Sequence, residues 1–244
     1  MVHVILTGAT GLVGSAVLAQ LLSSTSITRV SILSRSPVAA AKGHTKANVI
    51  LQSEFSRYPP SVLDQLQGAD GCIWAQGKSS VGMTEKDYTE LTHDWPMEAA
   101  KAFGNTKDRS GKRFNFVYVS GEGADQTQKA RAMFGRIKGR AEKDLLDLAN
   151  GTHLSVYNLR PAGIDGSDSA SKPERARSMP EAIVGWLYPV IKAVAPKYHT
   201  PVDSLAKVAV DLATGDGQPL KLDAGVEADG RTLRNVAIRR LAGL

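Results

Sequence analysis

Gly8, Gly11 and Gly14, spaced G-x-x-G-x-x-G in TGATGLVG, are the first residues on which chemistry can be built. Glycine at the first place permits a tight turn. At the second it lets a phosphate approach the backbone, and at the third it lets a following helix close on the preceding strand. Thr10, Leu12 and Val13 fill the same turn, and the free N–H groups where it enters the helix are suited to a pyrophosphate. In such sites a carboxylate about 20 residues further on bonds the 2′-hydroxyl of an adenosine ribose. This chain offers Ser34, Arg35 and Ser36 there, and the guanidinium fork of Arg35 matches a phosphate instead. The pattern implies a dinucleotide site that takes NADP in preference to NAD.

The elements that must position these groups follow from hydrophobic spacing. Residues 2–6 form a buried strand, and Ala16, Val17, Leu18, Leu21 and Leu22 recur at helical spacing behind the glycines. Residues 29–33, 49–51 and 71–75 read as the next strands, with a brief helix over 63–67 stopped by Gly68. Residues 52–54 then flank an adenine. Gln76 and Gly77 leave the fourth strand at the point where a doubly wound sheet reverses its order, and so line the cofactor. The spacing predicts a long helix over 84–103, capped by Thr84 with Asp87. Pro96 either kinks it near Thr92, whose carbonyl loses its partner, or marks a second start capped by Asp94. On a regular helix His93 and Asp94 point about 100° apart, so they form no dyad and His93 reads as structural.

Strand 114–119, helix 129–150 and strand 154–159 continue the alternation, with Gly151 as a helix stop. The polar stretch 165–181 reads as a loop carrying substrate contacts, ahead of an apolar helix over 182–194 containing Trp186, Tyr188 and Pro189. Asp203 is placed to cap a helix over 204–213, with a last strand at 219–222 and a terminal helix at 235–241. The result is an α/β, doubly wound, mostly parallel sheet of six or seven strands, a Rossmann fold with a small C-terminal substrate-side cap. One domain spans 1–244, and its substrate-side loop and helix occupy 165–202.

Composition narrows the function classes. The chain has 244 residues and a net charge of +6, but its lysines and arginines are scattered, which excludes a nucleic-acid partner and leaves a basic surface that attracts phosphorylated ligands. No run approaches the roughly 20 apolar residues of a membrane span, and the chain opens on a strand, not an amphipathic presequence. A cytoplasmic protein without a transmembrane segment is expected. Cys72, the single cysteine, sits in the apolar run GCIWA and reads as a small buried hydrophobe in a reducing compartment. No metal-ligand spacing appears.

The glycine turn, the strand ending in YVSGEGAD, the segment FGRIKGRAEKDL and the turn LRPAGI, in this order, resemble the atypical or extended short-chain dehydrogenase/reductase family. The look is nearest to the branch of the human Tat-interacting oxidoreductase-like protein and its yeast relative at the mitochondrial surface. The resemblance covers most of the chain and is loosest over 165–197. It implies that Lys138 holds the nicotinamide ribose and that Pro161 and Ala162 border the cofactor. It also implies departures. The tyrosine that exchanges a proton with substrate falls on Phe134, which has no proton to give. The serine that polarises a carbonyl falls on Ser120, and the second serine usual beside it is Gly121. Glu122 then stands near the nicotinamide end as a candidate acid or base, with Tyr198 and His199 as donors from the substrate side. Three readings stay open: an NADP(H)-dependent oxidoreductase on a carbonyl or alcohol, a non-redox isomerase, lyase or cyclase, and an NADP-sensing regulatory binding protein. A small-molecule substrate is implied by the first two, a homodimer is compatible with all, and a mitochondrial-surface location follows from the resemblance alone.

Overall fold

The structure, a computed structural model, describes residues 2–104, 112–174 and 198–244. Its elements run β1 (Val2–Thr7), α1 (Leu12–Ser23), β2 (Ile27–Ser34), β3 (Ala47–Leu51), α2 (Pro60–Leu63), β4 (Gly71–Trp74), α3 (Glu85–Thr89), α4 (Trp95–Gly104) and β5 (Phe114–Val119). They continue with α5 (Met133–Ala149), β6 (Leu154–Arg160), β7 (Gly163–Asp165), β8 (His199–Pro201), α6 (Val202–Thr214), β9 (Thr232–Arg234) and α7 (Asn235–Ala242). Seven strands form one parallel sheet in the order β3-β2-β1-β4-β5-β6-β9, so the winding reverses between β1 and β4. Alternation along the strands supplies both faces. Val4 and Leu6 of β1 pack with α1 and α6, whereas Ile5 joins Trp74, Phe116, Phe103 and Leu145 on the side of α4 and α5. This is the Rossmann-like α/β fold that the pattern of apolar segments implies.

Several local expectations change. The helix over 84–103 is three pieces, because a π turn over Glu90–Asp94 separates α3 from α4. Thr84 caps α3 as expected, its Oγ1 accepting from Asp87 N at 3.1 Å. Pro96 has no N–H for the turn before it, and the freed Thr92 carbonyl accepts from the Tyr118 hydroxyl at 2.8 Å. Regular helical spacing does not hold through the π turn. His93 therefore does meet Asp94, Nδ1 to Oδ1 at 2.6 Å, and its Nε2 lies 2.8 Å from Asp144 Oδ2 on α5, so the expectation of no pairing is corrected. Its role remains structural, a buried tie between the π turn and α5.

Residues 219–222 form no strand. Pro219 lacks a ladder donor, and the seventh strand is β9, paired with β6 through Asn158 and Thr232. Asp203 does not cap α6: the helix starts at Val202, two residues earlier than expected, and Asp203 accepts from Ser169 Oγ at 2.7 Å. Helix α5 begins at Met133 because Asp125 holds the N–H groups of Thr127 and Lys129 at 2.9 Å in a turn of their own. A two-stranded parallel sheet, β7 with β8, has no counterpart in the expected pattern. The helix over 182–194 and the loop beyond residue 174 lie outside the described residues. Among the described residues no helix is long and apolar enough to cross a membrane.

Candidate functional site

The glycine turn sits where β1 ends beside β4. Gly8 has φ +73°, and a Cβ there would lie 2.6 Å from the Ala75 carbonyl oxygen and 2.8 Å from Gln76 N. Only glycine lets the turn rest against the end of β4. A side chain at Gly14 would overlap the Gly8 carbonyl, so glycine there is what closes α1 onto the turn. Gly11 differs. Its N–H donates to Gly8 O at 2.9 Å, and a Cβ there would meet protein only at that same oxygen, 3.3 Å away, leaving its outer side open. Helix α1 starts with no side-chain cap and no acidic residue in its first turn, so the N-terminal donors beside Leu12 and Val13 face no competing carboxylate. Thr7 Oγ1 and Gln76 Nε2 are buried at this turn without a hydrogen-bond partner among the described residues. Gly77 next to Gln76 is exposed, and Thr10 is half-buried.

At the end of β2, Ser34 is buried and its Oγ accepts from Ser36 N at 3.3 Å, which fixes the turn. Arg35 is exposed and makes no hydrogen bond or ion pair among the described residues. An open N-terminal cradle at Gly11 and an orphaned amide at Gln76 fit a dinucleotide.

The second half of the site is built at the ends of β5 and β6. Lys138 projects from α5, and its Nζ donates to Ser120 O at 2.8 Å and Val119 O at 3.2 Å. Burial lowers its pKa to about 8, with the nearby Glu142 carboxylate opposing that shift. Gly135 and Gly139 make this geometry reachable, since a Cβ at Gly135 would lie 2.6 Å from Gly123 O and one at Gly139 would overlap the Asp125 backbone. Phe134, four residues before Lys138, is half-buried, and its ring lies under Gly123.

The hydroxyl of Ser120 points elsewhere. It donates to Glu142 Oε1 at 2.5 Å, and Glu142 has no exposed surface. Arg160, at the end of β6, compensates that buried charge with Nε at 2.9 Å from Oε1 and Nη2 at 2.5 Å from Oε2. Gln126 Nε2 adds a third donor at 3.2 Å. Burial disfavours the Arg160 charge, and its bonds to Glu142 outweigh that and raise its pKa. Sequence reading missed both partners of this pair. The available signals were a glutamate one helical turn past Lys138 and an arginine immediately before Pro161.

Glu122 is engaged as well. Its Oε1 accepts from Asn235 N at 2.9 Å, at the start of α7, and Oε2 lies 3.4 Å from Arg234 Nη2. The turn is closed by Glu122 N donating to Pro161 O at 2.8 Å, and Ala162 N donates to Thr200 Oγ1 at 2.9 Å. The structure thus gathers Ser120, Glu122, Lys138, Pro161 and Ala162 on one edge of the sheet. His199 is buried beyond them with Nε2 3.1 Å from Asp165 Oδ2, and Tyr198 is exposed. Among the described residues no cluster suits a metal ion.

No family model matches the chain. It is 35% identical to leucinostatins biosynthesis cluster protein T of Purpureocillium lilacinum, over 97% of this chain and 94% of that one. It is 30% identical to the mitochondrial protein fmp52-1 of Aspergillus oryzae, over 86% of each. The reductase domain of PhqB from Penicillium fellutanum superposes with a TM-score of 0.65 at 15% identity, over 87% of this chain and 64% of that one, so the chain spans under two thirds of that structure's length. Further solved neighbours include vestitone reductase from alfalfa and, as complexes with NAD, MoeE5, the UDP-glucuronic acid 4-epimerase of Bacillus cereus and the enzyme WbmF of Bordetella bronchiseptica. The chain belongs to the family of the leucinostatins cluster protein T and the fungal fmp52 proteins, with a Rossmann-like α/β fold that it shares with the PhqB reductase domain.

Proposed function

We propose that the protein binds NADP(H) and transfers hydride between it and a small carbonyl or alcohol substrate, with a degenerate serine/tyrosine site in which Phe134 stands in the tyrosine position. The observation that carries the cofactor half is the glycine turn: an open cradle at Gly11, forced glycines at Gly8 and Gly14, and an uncapped α1 with no acid in its first turn. Thr10, Leu12, Val13 and Gly77 border that cradle in this reading, and Gln76 supplies an amide that lacks a partner. Ser34 shapes the turn that presents Arg35 to a 2′-phosphate. When bound, the dinucleotide supplies the hydride. The chain supplies the rest: Lys138 holds the ribose, and Pro161 and Ala162 bound the nicotinamide side. The segment around Lys138 supports assignment to the Tat-interacting branch of the family, and the same reading takes residues 165–202 as the substrate-side element of a single domain, with a cytoplasmic location and a homodimer as its assembly.

A second reading, non-redox isomerase, lyase or cyclase chemistry on the same scaffold, is favoured by one specific observation. Phe134 has no hydroxyl and that of Ser120 is bonded to Glu142 at 2.5 Å, so neither polarises a carbonyl as it stands. A regulatory NADP sensor would need only the cofactor half.

Calorimetry with NADPH and NADH tests the reading. Wild type should bind NADPH more tightly, and Arg35→Ala should lose affinity for NADPH while keeping that for NADH. Gly11→Val, which fills the open side of the cradle, should abolish binding of both. Equal affinities for the two cofactors, or an Arg35→Ala protein unchanged toward NADPH, would exclude the assignment to NADP.

A further inference from the structure

We propose that Glu142 is a positioning residue for the nicotinamide half of the site, fixing through Ser120 and Arg160 where the Lys138 ammonium stands and how the turns after β5 and β6 face each other. The role rests on the dinucleotide reading above. Lys138 and Glu142 are four residues apart on α5 and so share a face. Both reach the same residue from there. Lys138 Nζ donates to the Ser120 carbonyl at 2.8 Å, and the Ser120 hydroxyl donates to Glu142 Oε1 at 2.5 Å. One helix therefore holds Ser120 at two points, and the carbonyl that anchors the ammonium cannot turn away without breaking the second bond.

The same carboxylate extends the hold across the edge of the sheet. Arg160 Nε lies 2.9 Å from Oε1 and Nη2 2.5 Å from Oε2, and Gln126 Nε2 lies 3.2 Å from Oε2. Arg160 directly precedes Pro161, whose carbonyl accepts from Glu122 N at 2.8 Å, so Glu142 joins the turn after β5 to the turn after β6. A hydroxyl, a guanidinium and an amide all donate to it. A carboxylate accepts at both oxygens, whereas a glutamine amide would turn its own donors toward Ser120 or Arg160.

Stability alone does not call for this arrangement. Glu142 has no exposed surface, and a buried ion pair is often no more stable than apolar side chains of similar volume. What the pair adds is a fixed geometry at the edge that carries Lys138, Pro161 and Ala162. Glu142 also opposes the fall in the Lys138 pKa that burial causes, which favours the charged ammonium beside its two carbonyls. The glycine turn and Arg35 follow β1 and β2, and none of the side chains bonded to the Glu142 carboxylate comes from those strands. The hold therefore acts on the nicotinamide end of a dinucleotide and leaves the adenosine end alone.

Calorimetry with NADPH and NADH, each beside its adenosine half, 2′,5′-ADP or ADP, reads the two ends separately. Failure of wild type to bind either dinucleotide defeats the dinucleotide reading and this proposal with it. Two variants then test the hold: Ser120→Ala removes one arm, and Glu142→Leu combined with Arg160→Met replaces the ion pair by apolar side chains. Ser120→Ala should weaken the better-bound dinucleotide about threefold or more and the double variant about tenfold or more, the scale of one hydrogen bond to a charged group. In both, affinity for the matching adenosine half should stay within about twofold of wild type. The double variant should melt within about 5 °C of wild type, so that position and not folding is what it loses. If it does not fold, Ser120→Ala carries the test alone. Equal losses for the dinucleotide and its half, or a folded variant that binds the dinucleotide as wild type does, would overturn the role of Glu142 while the dinucleotide reading stands.

Discussion

At the residue scale the candidate site pairs a phenylalanine one helical turn before Lys138 with carboxylates that are already spoken for. Phe134→Tyr restores an O–H one turn from Lys138, and general acid catalysis is commonly worth about 10² to 10⁴ in rate, so turnover of simple carbonyls should rise by about that factor in a stopped NADPH-oxidation assay. A Tyr variant no faster than wild type would mean that this face of α5 does not meet substrate. The Glu142–Arg160 pair carries a different consequence. Glu142 is wholly enclosed, so Arg160→Met strands a buried carboxylate and should cost about 3 to 5 kcal/mol in urea unfolding. Glu122 reads from its contacts as a cap for α7. Glu122→Gln should therefore lower stability by about 0.5 to 2 kcal/mol, the range for a lost helix cap, with NADPH affinity retained. A large kcat effect without a stability change would instead return Glu122 to the acid–base role that its place in the family pattern suggests.

At the scale of elements, His93 is the residue whose removal should be most telling. Its two ring nitrogens reach Asp94 and Asp144, so it joins the π turn to α5 from a nearly buried position. His93→Ala should destabilise the protein by about 1 to 3 kcal/mol, the cost of leaving buried polar groups unpaired, and should raise amide exchange in α3 and the π turn before α1. What could be read in advance divides along the same line. The glycine turn was legible because each glycine answers a local demand: a positive φ at Gly8, a close carbonyl at Gly14, open space at Gly11. Thr84 was legible as a cap for the same reason. Pro96 announced a break but not its form, because the π turn depends on a tyrosine hydroxyl from β5 reaching the Thr92 carbonyl. Strands β7 and β8 are too short for any alternation to show. Glu142 and Arg160, 18 positions apart, are polar residues whose enclosure is set by tertiary packing, so neither stood out from surface residues of the same type.

For the whole molecule, the closing of the sheet around β1 sets a pH response far from the site. His3 is buried beside Ser31, with Nε2 to Oγ at 2.8 Å, and desolvation followed by the Arg29 charge lowers its pKa to about 4. The unfolded chain takes up a proton as pH drops through about 6.5, the unperturbed histidine value, while the folded chain resists doing so until about 4. Stability should therefore fall between those limits on acidification and hold steady above about 6.5, a slope that His3→Gln should flatten in urea titrations run across that range. The last helix adds a matter of timing. Strands β1 to β4 and their glycine turn are complete by Trp74, but Glu122 waits for Asn235 and His199 O waits for Arg239 Nη1, 2.9 Å away. A ribosome that has released only the first 220 or so residues into solution holds a chain with a finished glycine turn and an unfinished edge at the ends of β5 and β6. During synthesis, then, the nascent protein should acquire its grip on a nucleotide well before it can do anything with it.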